Sequence, residues 1–162
     1  MIALWFALGT VGMALGTLAL AAGIGQVPEA NRRRYAILIA VPLIAVVAYA
    51  LMALGIGGIE TDFGTVYIPR YVDWLITTPM HILYIGLLAG VSTSLLGRTA
   101  GLQAVTILFG LAGALVASPL NWLLFGAGSL AFAAVVYDAF NNFDDAAART
   151  LPDDQYALFG QL

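Results

Sequence analysis

The sequence predicts an all-α, polytopic membrane protein, and three observations carry that prediction. The 162 residues are 62% hydrophobic and only 9% charged. Mean hydropathy is +0.96. The apolar residues gather into five stretches, each near the roughly 20 residues needed to cross about 30 Å of hydrocarbon. A soluble domain carries about a quarter charged residues, and disorder requires low hydrophobicity with high charge. A spanning sheet would have to close into a barrel of alternating segments of about ten residues, and no such alternation is present.

The stretches are about Ile2–Ile24, Tyr35–Ile56, Ile68–Gly90, Thr99–Ala117 and Leu120–Phe140. The first holds no charge, follows no basic region and is longer than a signal-peptide core, so it reads as a spanning helix. The third carries Arg70, Asp73 and His81. Between the second and third lies IGGIETDFGTV, where turn residues between β-branched pairs predict a short external β-hairpin. Residues 141–154 are acidic and turn-rich and read as a cytoplasmic loop. Residues 155–162 read as the start of a sixth helix that stops short, as in a truncated chain. The whole of 1–162 is one membrane domain, without internal repeat.

Arg32, Arg33 and Arg34 fall between the first two stretches, Arg98 between the third and fourth, and Arg149 after the fifth. The connections on the other face hold no arginine. The positive-inside rule then puts the N-terminus outside, the C-terminus in the cytoplasm and the chain across the cell membrane. A net charge of −3 excludes a broad nucleic-acid surface. There is no cysteine, hence no thiolate metal site and no Cys nucleophile. All six basic residues are arginine, and lysine is absent. Arginine without lysine, beside acidic loops, fits a halophilic host. One histidine and no nucleophilic triad argue against an enzyme.

Chemistry concentrates in the third stretch. At 100° per residue, Arg70, Asp73, Trp74, Thr77, His81, Tyr84 and Leu88 share an arc of about 100°. A charge at membrane depth costs a few kcal/mol and marks a functional site facing protein or water. Arg70 and Asp73, three apart, can pair, and the Thr77 hydroxyl can donate to the Asp73 carboxylate. Alternatively, Arg70 snorkels to the interface and Asp73 is a packing residue satisfied by it. On the fourth stretch Gln103, Thr106, Gly110 and Gly113 share one face, as they also would for simple helix packing. Pro42 and Pro79 interrupt spans. Tyr49 can reach the Arg70–Asp73 pair. Such a bundle can hold a cationic ligand against Asp73, or conduct protons.

The motif RYVDWLITTP (70–79) resembles the third helix of the microbial rhodopsins, the seven-helix retinal proteins of archaea. AYALMALG, LLAG and FGLAGA extend the resemblance toward the haloarchaeal sensory rhodopsin II and middle rhodopsin branch. It runs along the first five helices and the start of the sixth. It implies all-trans retinal as cofactor, with Asp73 as counterion and proton acceptor and Arg70, Thr77 and Tyr49 as the counterion network. It implies a retinal pocket of Trp74, Thr78, His81, Gln103, Thr106, Gly110, Phe125, Gly128 and Phe132.

Proton pumps of the family carry a carboxylate eleven residues after the counterion. Here that position is Tyr84, about 16 Å along the helix, and a phenol with pKa near 10 is a poor donor at neutral pH. The resemblance therefore implies sensory phototaxis signalling through a membrane-bound transducer. Alternatives are a light-driven proton pump or ion transporter, and a chromophore-free inactive fragment. The family's retinal-bearing lysine lies on helix seven. This chain has no lysine, so covalent attachment within it is not possible, and helices six and seven are missing partners.

Overall fold

A computed structural model describes residues 2–62 and 64–160. Five long helices follow one another: α1 (Ile2–Gly23), α2 (Glu29–Ala53), α3 (Ile68–Leu88), α4 (Thr93–Leu115) and α5 (Leu120–Tyr137). Two short ones, α6 (Asp144–Thr150) and α7 (Asp153–Phe159), close the chain. A two-stranded hairpin, β1 (Gly58–Thr61) and β2 (Gly64–Tyr67), joins α2 to α3. The architecture is a membrane-type helical bundle with a small two-stranded antiparallel hairpin.

Each long helix packs chiefly on its neighbours in sequence, so the bundle is laid down as consecutive antiparallel pairs. Apart from the polar stripe of α3 the long helices are largely apolar, and most of that surface stays outside: Leu4, Trp5 and Leu18 on α1 and Leu123 and Leu130 on α5 are exposed. Helices of this composition face lipid rather than a core. At the contacts stand small residues, such as Ala45 and Ala48 of α2. Gly9 of α1 leaves no room for a Cβ against the Tyr49 ring. Close backbone approach of this kind is how membrane helices associate.

Among the described residues, four segments are long and apolar enough to cross a membrane: Ile2–Gln26, Glu29–Ala53, Thr93–Leu115 and Leu120–Thr150. The third of the five expected stretches, α3, is not among them. Its length, 21 residues, is sufficient; the polar stripe from Arg70 to Tyr84 lowers its hydropathy.

Several boundaries differ from the sequence reading. Arg32, Arg33 and Arg34 lie in the opening turns of α2 rather than in a loop, and Arg98 and Arg149 lie on α4 and α6. Helical hydrogen bonding continues past the hydrocarbon edge, where charged side chains reach water. Residues 141–154 are not a loop for most of their length. A π-helical turn, Asp138–Phe143, carries α5 directly into α6, and the break comes at Leu151–Pro152. The acidic residues that read as loop sit in helical first turns, where the helix dipole favours them. The start of a helix expected at 155–162 begins at Asp153; residues 161 and 162 lie outside the described ones.

Local chemistry sets the joints. The hairpin pairs Gly58 with Tyr67, Ile59 with Val66, Glu60 with Thr65 and Thr61 with Gly64. Gly64, at φ +112°, takes a conformation other residues resist. Gly90 (φ +71°) ends α3, and Ser92 caps α4 by accepting from Leu95 N at 3.4 Å. Beyond that turn, away from the hairpin, lies the buried apolar cluster of Ala89, Val91, Leu96, Phe143 and Ala147. It binds α3, α4, the π-helical turn and α6 into one end-cap. Thr150 completes it: its hydroxyl sits between the Ala89 carbonyl, 2.9 Å away, and that of Ala146, 2.8 Å away.

Candidate functional site

Asp73 is buried, 4% exposed, in the upper half of α3. It lines a cleft of about 430 Å³ toward α2, walled by Ile44, Ala48, Leu51, Val72 and Ile76. Its Oδ1 is buried without any hydrogen-bond partner. Such an atom inside apolar walls marks a place for a water or a cation.

Two expected partners turn elsewhere. The Arg70 guanidinium stands 5.6 Å from the Phe6 ring centre and 5.9 Å from that of Tyr67. Helical side chains lean toward the N-terminus, so its reach is toward the hairpin end and the two rings. Among the described residues no ion pair joins Arg70 to Asp73. The Thr77 hydroxyl stays with Asp73: it donates to the backbone carbonyl at 2.9 Å and lies within hydrogen-bonding reach of the carboxylate as well. The first is the common bond of a helical threonine to the preceding turn, and a hydroxyl has one proton to give. Tyr49 packs edge-on to Phe6, ring centres 6.1 Å apart, and makes no hydrogen bond to Asp73. Arg70, Tyr67, Phe6 and Tyr49 form one aromatic–cation cluster between α1, α2 and α3.

A larger cavity, about 720 Å³, opens between α3, α4, α5 and the hairpin. Trp74, Thr106, Gly110, Phe125, Gly128 and Phe132 line it. Its glycines have distinct duties. A Cβ on Gly110 would meet open space, whereas one on Gly128 would crowd Phe109 Cβ at 3.2 Å. Gly110 therefore gives the cavity volume, and Gly128 lets α5 close on α4. Thr78 and Gln103 lie behind the wall: Gln103 Nε2 donates to Thr78 Oγ1 at 3.1 Å, and Thr78 donates to Trp74 O at 2.7 Å. These bonds brace the stretch where Pro79 withholds an N–H from Leu75. The structure thus presents a buried acid in one cleft of α3 and an aromatic cavity one residue round the helix.

The sequence pattern of the family described as "Bacteriorhodopsin-like protein" matches residues 1–162. The chain belongs to the bacteriorhodopsin-like family. It is 48% identical over 158 residues to sensory rhodopsin-2 of Haloarcula vallismortis, covering 98% of this chain and 67% of that one. To archaerhodopsin-2 of Halobacterium sp. (strain aus-2) it is 41% identical over 155 residues, covering 90% and 59%. Among solved structures, thermophilic rhodopsin from Rubrobacter xylanophilus superposes with a TM-score of 0.92 at 32% identity, covering 99% of this chain and 72% of that one. The light-driven proton pump rhodopsin of Coccomyxa subellipsoidea gives 0.90 at 27%, covering 98% and 72%. This rhodopsin chain spans about two thirds of the length of those sensory rhodopsin relatives.

On this rhodopsin bundle, six of the nine residues expected around retinal line the larger cavity, while Asp73 is buried toward α2 and Thr77 is buried beside it. His81 is exposed on α3 and lines neither cavity, and Tyr84 is half-buried. Sequence reasoning missed a second buried acid. Asp138, 1% exposed, begins the π-helical turn. It pairs with Arg98, accepts from Asn142 Nδ2 at 2.7 Å and lies 2.6 Å from Thr99 Oγ1. The available signal was a lone aspartate near the end of an apolar span with Asn142 four residues on; the sequence reading leaves it inside the fifth stretch without a role.

Proposed function

We propose that this chain is the five-helix portion of a retinal-based photoreceptor of the sensory rhodopsin type. The observation that carries the reading is the buried, unpartnered Oδ1 of Asp73. It fits a site whose missing element is a cation. The residues present fit retinal in part: Trp74, Thr106, Gly110, Phe125, Gly128 and Phe132 offer an aromatic, roomy wall for a polyene, and Asp73 offers the charge for a cationic linkage. The chain holds no lysine, so the covalent bond needs a residue outside these 162. Retinal, when bound, supplies visible absorption and light-driven isomerisation. The chain's own part is to seat the polyene, hold a negative charge at Asp73 and accept a proton there. Thr78 and Gln103 keep Trp74 in place.

Tyr84 supports signalling over pumping. A phenol about 16 Å along the helix from Asp73, standing where a pump has a carboxylate, resupplies protons slowly, which prolongs a signalling state. A membrane-bound transducer and helices six and seven are the partners of this reading. For orientation, Arg32, Arg33, Arg34, Arg98 and Arg149 all lie at the end away from the hairpin, which supports a cytoplasmic location for that end and an extracellular N-terminus.

The test adds all-trans retinal to the chain with and without a separately expressed lysine-bearing two-helix segment of the Haloarcula relative. A visible pigment is expected only with the segment. In that pigment Asp73→Asn should red-shift the band and abolish its acid transition; an unchanged spectrum refutes the counterion role. The second reading, a light-driven pump, is favoured by likeness to structures described as proton pumps. Sustained light-driven acidification or alkalinisation by vesicles holding the pigment would establish it. A third reading, an inactive fragment, stands if no pigment forms even with the segment.

A further inference from the structure

Three consecutive arginines, Arg32, Arg33 and Arg34, occupy the opening turns of α2, and all three are exposed. This is the end of a helix where the dipole disfavours cations. Among the described residues Arg98 alone forms an ion pair. Glu29, three and four residues before Arg32 and Arg33, pairs with neither. Three charges placed against the dipole, without an acidic partner among the described residues, call for an anion outside the chain.

Position identifies that anion. The apolar run of α2 opens at Tyr35 and closes at Ala53. At about 1.5 Å per residue it spans about 28 Å, the full hydrocarbon thickness of about 30 Å. Arg34 is therefore the first residue beyond the hydrocarbon, at the depth of the lipid phosphates. Successive residues point 100° apart around a helix, so the three guanidinium groups fan through about 200°. One flat protein face cannot engage such a fan; a leaflet surrounding the helix can. Arg32 is pre-set: its Nε donates to the Val27 carbonyl at 3.2 Å, which leaves its terminal nitrogens for bidentate contact with a phosphate. The joint beneath is fixed by Tyr35, whose hydroxyl donates to Leu20 O at 3.0 Å. Gly23 admits that ring, since a Cβ there would lie 2.8 Å from the hydroxyl.

We propose that Arg32, Arg33 and Arg34 form a binding site for the phosphate headgroups of anionic phospholipids in the leaflet at the α1–α2 joint. The inference rests on the chain crossing a membrane and not on retinal or Asp73.

The test is native mass spectrometry of the detergent-solubilised chain, titrated with phosphatidylglycerol or phosphatidylcholine. Each arginine near an anionic surface contributes about fivefold. The unsubstituted chain should retain phosphatidylglycerol preferentially by at least about tenfold. Arg32→Gln/Arg33→Gln/Arg34→Gln should lose that preference, and the triple arginine-to-lysine variant should keep most of it. Arg149→Gln should leave it intact, and so should Asp73→Asn, which separates this outcome from the fate of the counterion reading. Circular dichroism checks that each variant stays helical. Equal retention of the two lipids, or preference surviving the triple Gln variant, overturns the proposal. So does full competition by millimolar inorganic phosphate, which would mark a site for any free anion. A dimer that the triple Gln variant dissolves, with lipid retention unchanged, would also overturn it and assign the arginines to a second copy.

Discussion

Replacing Arg98 by glutamine strands a negative charge, and the cost can be worked from its surroundings. Asp138 is 1% exposed, while the Arg98 side chain is 57% exposed. Deleting one partner of a fully buried pair costs about 3–5 kcal/mol. Water already screens half of this guanidinium, and exposed pairs contribute only about 0–1 kcal/mol. Asn142 and Thr99 remain on the carboxylate after the change. An intermediate cost of about 2 kcal/mol follows. In an Asp138→Asn background no charge is left to strand, and Arg98→Gln should cost only about 0.5 kcal/mol. The two substitutions should thus couple by about 1.5 kcal/mol, some tenfold in the unfolding equilibrium. Reversible unfolding in mixed micelles, followed by far-ultraviolet circular dichroism, measures all four corners of this cycle. Amide exchange should quicken at Asp138–Thr150 and the start of α4 while α1 and α2 stay unchanged. Additive costs, within about 0.3–0.5 kcal/mol, would refute the claim that Asp138 is held as a charged, shared acceptor.

Gly86→Ala should destabilise the end-cap by about 1–3 kcal/mol, because its Cβ would collide with Leu96 Cδ2 and stand 3.1 Å from Phe143 Cε2; the same micelle titration reads it. Phe143→Ala, which empties a position 1% exposed, should cost about 3–5 kcal/mol and loosen α6 and α7 in amide exchange. The Tyr156 hydroxyl donates to Asp144 Oδ1 at 3.0 Å, and that bond, with some burial and the charges of Asp144 and Asp145, pushes its pKa above the usual tyrosine range. A raised pKa means the bond is whole below about pH 10 and is lost as pH rises through the higher value; ultraviolet tyrosinate titration should show one late phenol, absent in Tyr156→Phe. Gly110→Leu should fill the larger cavity with little loss of stability, whereas Gly128→Leu should weaken α4–α5 packing; thermal melts in detergent separate the two.

Long apolar runs were legible because a bilayer demands them whatever they pack against, so the five long helices and the hairpin could be read directly. Element ends were less legible. Charged residues at Arg32–Arg34 and Arg98 look like loop, yet the backbone keeps its hydrogen bonds after it leaves the hydrocarbon. The acidic stretch after Phe140 looks unstructured, yet Phe143 and Ala147 anchor it in a buried cluster whose other half comes from α3 and α4. Nothing local announces that contact.

The composition and periodicity of the chain determined by themselves that it is a membrane bundle, and that its polar chemistry lies on one stripe of α3. They named the residues of that stripe. Tertiary structure decided how the stripe divides: Asp73 against α2, Trp74 toward α4 and α5, and Arg70 onto the rings of Phe6 and Tyr67. It also decided that Asp138 meets Arg98, 40 residues away. Angular spacing fixes which side of a helix a residue occupies; which neighbour occupies that side, and where a long side chain finds its partner, depends on how the helices are placed in space.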